Sequence, residues 1–331
     1  MLFSAILAIL LAQLTIAQPS NLSCSCFLTN GSSAGYFTSH SFFDFRNIDT
    51  SPSTIPPLLA DMNSTANAPR TSDYFSIESF STRLPTFQSA AEIDTIAHNY
   101  HYISLRVLAR VQGSPGACAG IFTYLPSSNP RDVQEADIEI LTSGPRSMVQ
   151  FTNQPSETAT GGVEPQATVN GTNPGGEDWT EWVAYRVDWL PGKTTWYANG
   201  QMTAEIGFQA PRDPATIILN MWSDGGSWTG NMSIYDEAYL QLQWLEMVYN
   251  TSGPVSGSSK RSADLDLLQN RNIKGCETVC SIDENVNAIG SPMVISNHTG
   301  AATREQMGNV AWISVVISSI ANRVAYALKN S

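Results

Sequence analysis

Between residues 101 and 250 the chain breaks into short segments that read as strands, and no long amphipathic helix interrupts them. They are HYISLRVLARV (101–111), GIFTYL (120–125), EADIEIL (135–141), SMVQFT (147–152), EWVAYRVDWL (181–190), TTWYANGQ (194–201), ATIILNMWS (215–223) and AYLQLQWLEMVYN (238–250). Each is rich in β-branched or aromatic residues, many alternate apolar with polar, and clusters of Pro, Gly, Asn and Ser separate them. Asn199-Gly200, between TTWY and QMTAEI, is the signal of a tight hairpin. So many strands, so close in sequence, predict an all-β antiparallel sandwich or barrel forming one domain.

One of these segments carries an unusual load. QEADIEI (134–140) places Glu135, Asp137 and Glu139 at every second position. On a strand these three side chains share a face, while Ala136, Ile138 and Ile140 turn to the other. Acidic residues are poor strand formers, and like charges side by side repel. Such a row is either a solvated edge or a piece of chemistry. The Cα atoms of Glu135 and Glu139 lie roughly 13 Å apart at the usual rise. Retaining glycosidases need two carboxyls only about 5–5.5 Å apart. Two long side chains leaning together over a shorter central one cover most of that difference. The electrostatics divide the labour. One glutamate stays ionised to attack an anomeric carbon, and burial and negative neighbours hold a proton on the other. Asp137 tunes the pair, and the proton affinities belong to the cluster.

Composition narrows the partners. The 331 residues are 42% hydrophobic and only 14% charged, with a net charge of −12. That acidity argues against nucleic acid or an anionic membrane as the main partner and is compatible with a neutral polymer such as a glycan. The apolar run MLFSAILAILLAQLTIA predicts a signal peptide over 1–17, cleaved after Ala17. Seven Asn-x-Ser/Thr sequons, at Asn21, Asn30, Asn63, Asn170, Asn231, Asn250 and Asn297, predict a glycosylated, secreted surface. Five cysteines (Cys24, Cys26, Cys118, Cys276 and Cys280) fit an oxidising compartment, with two bridges and one spare thiol, in a pairing that spacing leaves open. The four histidines do not fall into ligand spacing with them, so no metal site is expected, and the carboxylate chemistry requires no cofactor.

The expected organisation is a Cys-containing segment over 18–34, the sandwich over 35–253, and a linker with a poorly structured C-terminal tail over 254–331. NTSGPVSGSSKRSAD has linker composition, and its Lys260-Arg261 pair is either a dibasic processing site or two solvated charges. Gly300, Ala301 and Ala302, a polar spacer and an apolar end resemble a lipid-anchor signal. Asn322 and Arg323 interrupt that end, leaving a loosely packed helix as the alternative. A monomer, with cell-wall or lipid-anchored membrane association, completes the expectation.

EADIE, in its context, resembles the family 16 glycoside hydrolases, whose signature is E-x-D-x-E on one strand of a β-jelly-roll with a concave glycan cleft. The resemblance covers about residues 35–250. GACAGIFTYL is similar to the family's strand ending Phe-x-Tyr, which implies Phe122 and Tyr124 near the cleft. VQFTNQ implies Gln150 and Asn153 toward the sugar. VDWLPGKTTWYANGQ is similar to the family's Trp-x-Pro-Gly hairpin, and IILNMW implies Asn220 and Trp222 at the cleft. By motif position Glu135 is the nucleophile, Asp137 the assisting carboxylate and Glu139 the acid/base. Gln134 stands where many relatives have an acid, Ala136 replaces a larger aliphatic residue, and Ile140 replaces a common aromatic.

The aromatics make separate sense, because sugar rings stack their C–H faces on Trp or Tyr. NMWSDGGSWTGN (220–231) gathers Asn220, Trp222, Asp224 and Trp228 around Gly225-Gly226, which suits a cleft loop, while Trp189 and Trp196 are expected in the core. The chemistry implied is retaining endo-hydrolysis of a β-glucan, or transfer through the same intermediate. A lectin-like binder is the alternative of another class, and the carboxylate row speaks against it. A Ser/His/Asp hydrolase is a third option, which the carboxylate row does nothing to support.

Overall fold

The computed structural model describes residues 23–29, 36–46, 62–64, 75–81, 88–233, 235–252, 276–283 and 289–297. The expected signal peptide, the Lys260-Arg261 pair and the anchor-like end lie outside the described residues.

The alternating segments form strands. β1 (Cys26–Leu28), β2 (Ser39–Asp44), β3 (Met62–Ser64), β4 (Phe75–Ser81), β5 (Gln88–Ser89) and β6 (Ala91–Thr95) precede the long β7 (Tyr100–Gly113). Then come β8 (Cys118–Leu125), β9 (Gln134–Leu141), β10 (Met148–Gln154) and β11 (Thr168–Thr172). β12 (Val183–Leu190), β13 (Lys193–Ala198), β14 (Gln201–Ile206), β15 (Thr216–Trp222) and β16 (Glu237–Thr251) complete the body. β17 (Thr278–Ser281) and β18 (Met293–Asn297) come from the C-terminal region. The hairpin between β13 and β14 turns at Asn199 and Gly200, whose φ values of 49° and 78° are both left-handed, as an Asn-Gly turn requires.

Two antiparallel sheets stack face to face. One has the order β11-β10-β9-β8-β15-β6-β3 and the other β14-β13-β12-β7-β16-β4-β5, with β2 also pairing β16. Their facing sides supply the core. Ile121, Ile138, Phe151, Ile217 and Leu219 of the first sheet and Leu105, Val107, Val187, Trp189, Trp196 and Leu240 of the second are all at most 2% exposed. Trp189 and Trp196 are therefore packing residues, as expected.

The tail departs from expectation. Within 254–331, residues 276–283 and 289–297 carry strands, and β17 lies between β1 and β18 in a third small sheet. Disulfides Cys24–Cys280 and Cys26–Cys276 join the two ends of the chain, leaving Cys118 as the free, buried thiol. These segments cover polar positions on the outer side of the second sheet, opposite the inward Leu105 and Val107. Arg106 donates to Glu246 Oε2 (2.6 Å) and to Asp283 Oδ1 (2.8 Å). Arg186 forms a two-pronged pair with Asp188 (2.6 Å for both bonds), with Asp283 Oδ2 at 3.6 Å. His40 pairs Glu246 Oε1 at 2.7 Å. Sequence composition missed this segment because its order comes from crosslinks and long-range ion pairs, not from strand propensity.

Not every sequon faces solvent. Asn170, Asn231 and Asn297 are exposed, but Asn250 is 1% exposed. Its Oδ1 accepts from the Thr38 amide and hydroxyl (both 2.9 Å), and its Nδ2 donates to the Tyr36 carbonyl. Glycopeptide mapping is expected to find Asn250 bare. Asn250→Ala leaves the carbonyl of buried Tyr36 and the Thr38 donors without their partner and should lower the unfolding free energy by about 2 kcal/mol, read from the denaturant midpoint. A loss below about 0.5 kcal/mol, the range of ordinary surface changes, would contradict this account.

Candidate active site

β9 runs in the middle of the first sheet with β8 on one side and β10 on the other, so its outward face has neighbours in register. Tyr124 and Gln154 flank Glu135, Phe122 and Thr152 flank Asp137, and Gly120 and Gln150 flank Glu139. Beyond β8, Asn220 lies beside Gly120, and beyond that Glu92 lies beside Asn220. Inward, Ala136, Ile138 and Ile140 are at most 1% exposed, which pins the register: a slip of one residue would drive three carboxylates into the core.

A cleft of about 410 Å³ opens on this face. Glu135, Asp137, Glu139, Phe122, Tyr124, Asn220 and Trp222 line it together with Glu92, Gly120 and Ile218. Gly120 is required by close approach, since a Cβ there would meet Asn220 Oδ1 at 2.6 Å and the Phe122 ring at 3.1 Å. Asn220 donates to Glu92 at 3.3 Å, which aims its amide across the cleft floor.

Two residues expected at the cleft lie near it without lining it. Gln150 shares the face with Glu139, and its Oε1 meets no hydrogen-bond donor among the described residues. Trp228, 43% exposed on the loop after β15, favours the charged form of Glu139. Asn153 is a correction. It pairs with Ala136 and so points to the opposite face, where its amide donates to the carbonyls of Ile206 (3.3 Å) and Phe208 (3.0 Å). The cleft-facing amide on this strand is Gln154, one position on.

Sequence reasoning passed over Glu92, Cys118 and Gln154. Glu92 had a legible signal, the alternation of AEIDT, whose Ala91, Ile93 and Thr95 are buried. The unusual Gln134 also acquires a reason. Its Oε1 accepts from the amides of Arg212 (2.6 Å) and Asp213 (3.0 Å), and its Nε2 donates to Asp213 Oδ2 (2.8 Å). An acid at that position would face the Asp213 carboxylate without a proton to offer.

The electrostatics follow from burial. Glu135 is pushed up to about 7, first by desolvation, with the Glu139 charge adding to it and its hydrogen bond to Asp137 opposing it. Asp137, 2% exposed, is driven well above the carboxylate range by burial and then by the charges of Glu135 and Glu139. Its Oδ2 receives only a 3.4 Å bond from Gln154 Nε2, and its Oδ1 meets no donor among the described residues. Burial also raises Glu139, while the Cys118 thiol (Sγ to Oε1 3.7 Å) and the Trp228 indole pull it down by favouring its charged form. The cluster thus retains a shareable proton near neutral pH while offering a grip on negative charge at Glu139.

Such a site costs stability. A carboxylate whose folded pKa lies above its unfolded value destabilises the native state at any pH above the unfolded value, and the penalty is complete above the folded one. Glu135→Gln is therefore expected to stabilise the protein on the order of 2 kcal/mol at about pH 8 and to have almost no effect near pH 4. Thermal melts at the two pH values test this, and an equal shift at both would mean that the gain is not electrostatic.

The comparisons with known proteins concern this same domain. The profile described as Glycosyl hydrolases family 16 matches residues 60–244, more than half of the chain. A beta-glucanase of Paenibacillus polymyxa is 28% identical over 155 residues; the match takes in 46% of this chain but only 62% of that relative. In three dimensions the fold is similar to the Bacillus licheniformis beta-glucanase, at TM-score 0.50 and 20% identity, covering 64% of this chain and 98% of that one. It is also similar to the endo-beta-1,3-glucanase of Pyrococcus furiosus, at TM-score 0.51 and 16% identity, covering 70% and 100%. The sandwich, its carboxylate row and the matching profile agree: the chain belongs to family 16 of the glycosyl hydrolases.

Proposed function

We propose that the protein is a secreted, retaining endo-β-glucan hydrolase in which Glu135 is the nucleophile, Glu139 the acid/base and Asp137 the assisting carboxylate. The observation that carries this reading is the row of three carboxyls on the floor of an open cleft lined by Phe122, Tyr124 and Trp222. Ionised Glu135 attacks the anomeric carbon and forms a glycosyl ester, while Glu139 delivers a proton to the departing oxygen. The ester takes the Glu135 charge away from beside Glu139, which then gives up its proton more readily, and its carboxylate takes the proton of an incoming water. Asp137 returns a hydrogen bond to Glu135 as the ester breaks. Tyr124 and Gln154, beside Glu135, and Phe122, beside Asp137, fit a sugar at the point of attack. The similar glucanases support a β-glucan as the polymer. Two disulfides and three exposed sequons support an extracellular location, with cell-wall or lipid-anchored association as the finer expectation.

One observation favours transfer to a sugar in place of water. Trp228 stands half exposed beside Glu139, where the leaving group departs and where an acceptor ring would stack.

The test incubates the protein with mixed-linkage β-1,3/1,4-glucan, β-1,3-glucan, xyloglucan and chitin, each with a fluorescent oligosaccharide acceptor, and sizes the products. Shortened, unlabelled products are expected from one β-glucan, and Glu135→Gln should lower the rate by at least about 10⁴-fold. Labelled, lengthened products would make transfer the main reaction. Binding without turnover in both wild type and variant would overturn the enzyme reading in favour of a lectin. Since Glu135 attacks only when ionised, the rate should fall as the pH drops below about 7.

A further inference from the structure

One row of directly paired residues crosses the first sheet from β6 to β11: Glu92, Asn220, Gly120, Glu139, Gln150 and Asn170. Paired residues on adjacent strands point to the same face, so Asn170 shares the face of Glu139. The next residue fixes the parity independently. A Cβ on Gly171 would meet the Phe151 ring at 2.9 Å, on the core side, which turns Asn170 outward, where it is exposed. Two strand spacings, about 10 Å, separate Asn170 from Glu139. Asn170 also opens the sequon Asn170-Gly171-Thr172 on β11, the edge strand of this sheet.

The cleft is lopsided about β9. Its lining comes from β9 itself and from β8, β15 and β6, so it crosses the strands and runs to one side of the triad. On the other side β10 presents Gln150 and Thr152, and β11 presents Thr168 and Asn170. The Thr152 and Thr168 hydroxyls bond each other at 3.0 Å, which leaves a low polar strip. A long glycan cut in mid-chain over β9 leaves one half on each side, and its second half passes over this strip.

We propose that Asn170 carries an N-linked glycan that walls the β10–β11 flank of the cleft and restricts the length of sugar chain that lies there. The proposal rests on the reading of the site as one that engages a β-glucan chain. In the secretory pathway one hydrogen of the Asn170 Nδ2 is replaced by the anomeric carbon of an oligosaccharide. The lipid-linked diphosphate that carried the oligosaccharide leaves with the bonding pair, and the amide proton passes to solvent. An N-glycan is bulky and hydrated, and its first sugars stand where the side chain points, beside Gln150. A short chain that ends over β10 fits beside them, whereas a polymer that continues across β11 meets them. The wall leaves the carboxylates and the β8–β15–β6 flank untouched, so it acts on chain length and not on bond making.

The experiment uses the full chain secreted from a glycosylating host and compares wild type with Asn170→Gln, Thr172→Ala and Thr172→Ser. Thr172→Ser keeps the sequon, and the other two remove it at different residues. Glycopeptide mapping is expected to find Asn170 occupied in wild type and in Thr172→Ser. kcat/KM is then measured on β-1,3/1,4-glucan and β-1,3-glucan polymers and on short oligosaccharides of the same linkages. Both variants without the sequon should gain about fivefold on the polymer, the worth of one ordinary hydrogen bond regained on that flank, and stay within about twofold on the oligosaccharide. Trimming the wild-type glycan with an endoglycosidase should give the same gain with no substitution, which decides the matter if a variant fails to fold. The wall is overturned if Asn170 is bare, if its glycan can be lost without effect on the polymer, or if both substrates shift together. The same comparison in a Glu135→Gln background, read as affinity for polymer and oligosaccharide, separates the two readings. Binding that gains on the polymer alone, in a protein that never cleaves, would remove the hydrolase and leave the wall standing.

Discussion

Glu135, Asp137 and Glu139 repel one another in a place where burial already disfavours charge, so β9 has to be held in position by everything except those residues. Its other face supplies part of the hold. Ile138 and Ile140 are buried completely, worth about 2 kcal/mol each, the same order as the penalty on a single displaced carboxylate. The ladder supplies the rest, because β9 is paired along its full length with β8 and over five positions with β10. A central strand satisfied on both edges tolerates a face that an edge strand would have to expose to water. The central place of β9 in the sheet and the acidity of its outer face are one design: the first makes the second affordable.

The opposite sheet solves a related problem by pairing. Arg106, Arg186, Asp188 and Glu246 project from the side turned away from the core, and the C-terminal segment places Asp283 within reach of both arginines. Taking these charges out of water is expensive, and the geometry offsets it through bidentate contacts and His40. The two disulfides keep the covering segments beside this network, so the polar layer is never left half assembled. Charge is therefore buried on both sheets with opposite logic. The outer network is neutralised to be stable, and the triad stays frustrated to remain reactive.

What the sequence made legible follows from period. Alternation over β7, β8, β9, β12 and β15 is strong enough to give the strands, and the unbulged spacing of EADIE gives three side chains on one face without any structure. Phe122, Tyr124 and Asn220 reach the cleft because they share parity with that row through paired neighbours. Asn153 failed because it lies three residues from Gln150 on one strand and so faces the other side; the register with β9 decides which of the two shares the carboxylate face. The covering strands β17 and β18 were illegible because covalent and ionic contacts far apart in sequence hold them. Asn250 showed a sequon where the fold uses its amide as a joint between β16 and Tyr36–Thr38.

The division between strand and loop bears on the chemistry. In the proposed mechanism the three carboxyls that break the glycosidic bond all sit on β9, whose geometry the core and the ladder fix. The groups that favour the charged form of Glu139 come from elsewhere, Cys118 from the neighbouring strand and Trp228 from a loop held by Asp224, Ser223 and Ser143. In the proposed mechanism the first half of the reaction is a property of the strand. The second half depends on what arrives beside Glu139, and there the neighbours are Trp228 and solvent. Hydrolysis and transfer share the ester on Glu135, so selection between them cannot reside in the triad. In that mechanism the selection falls to the surroundings of the triad, where Trp228 is an exposed aromatic residue.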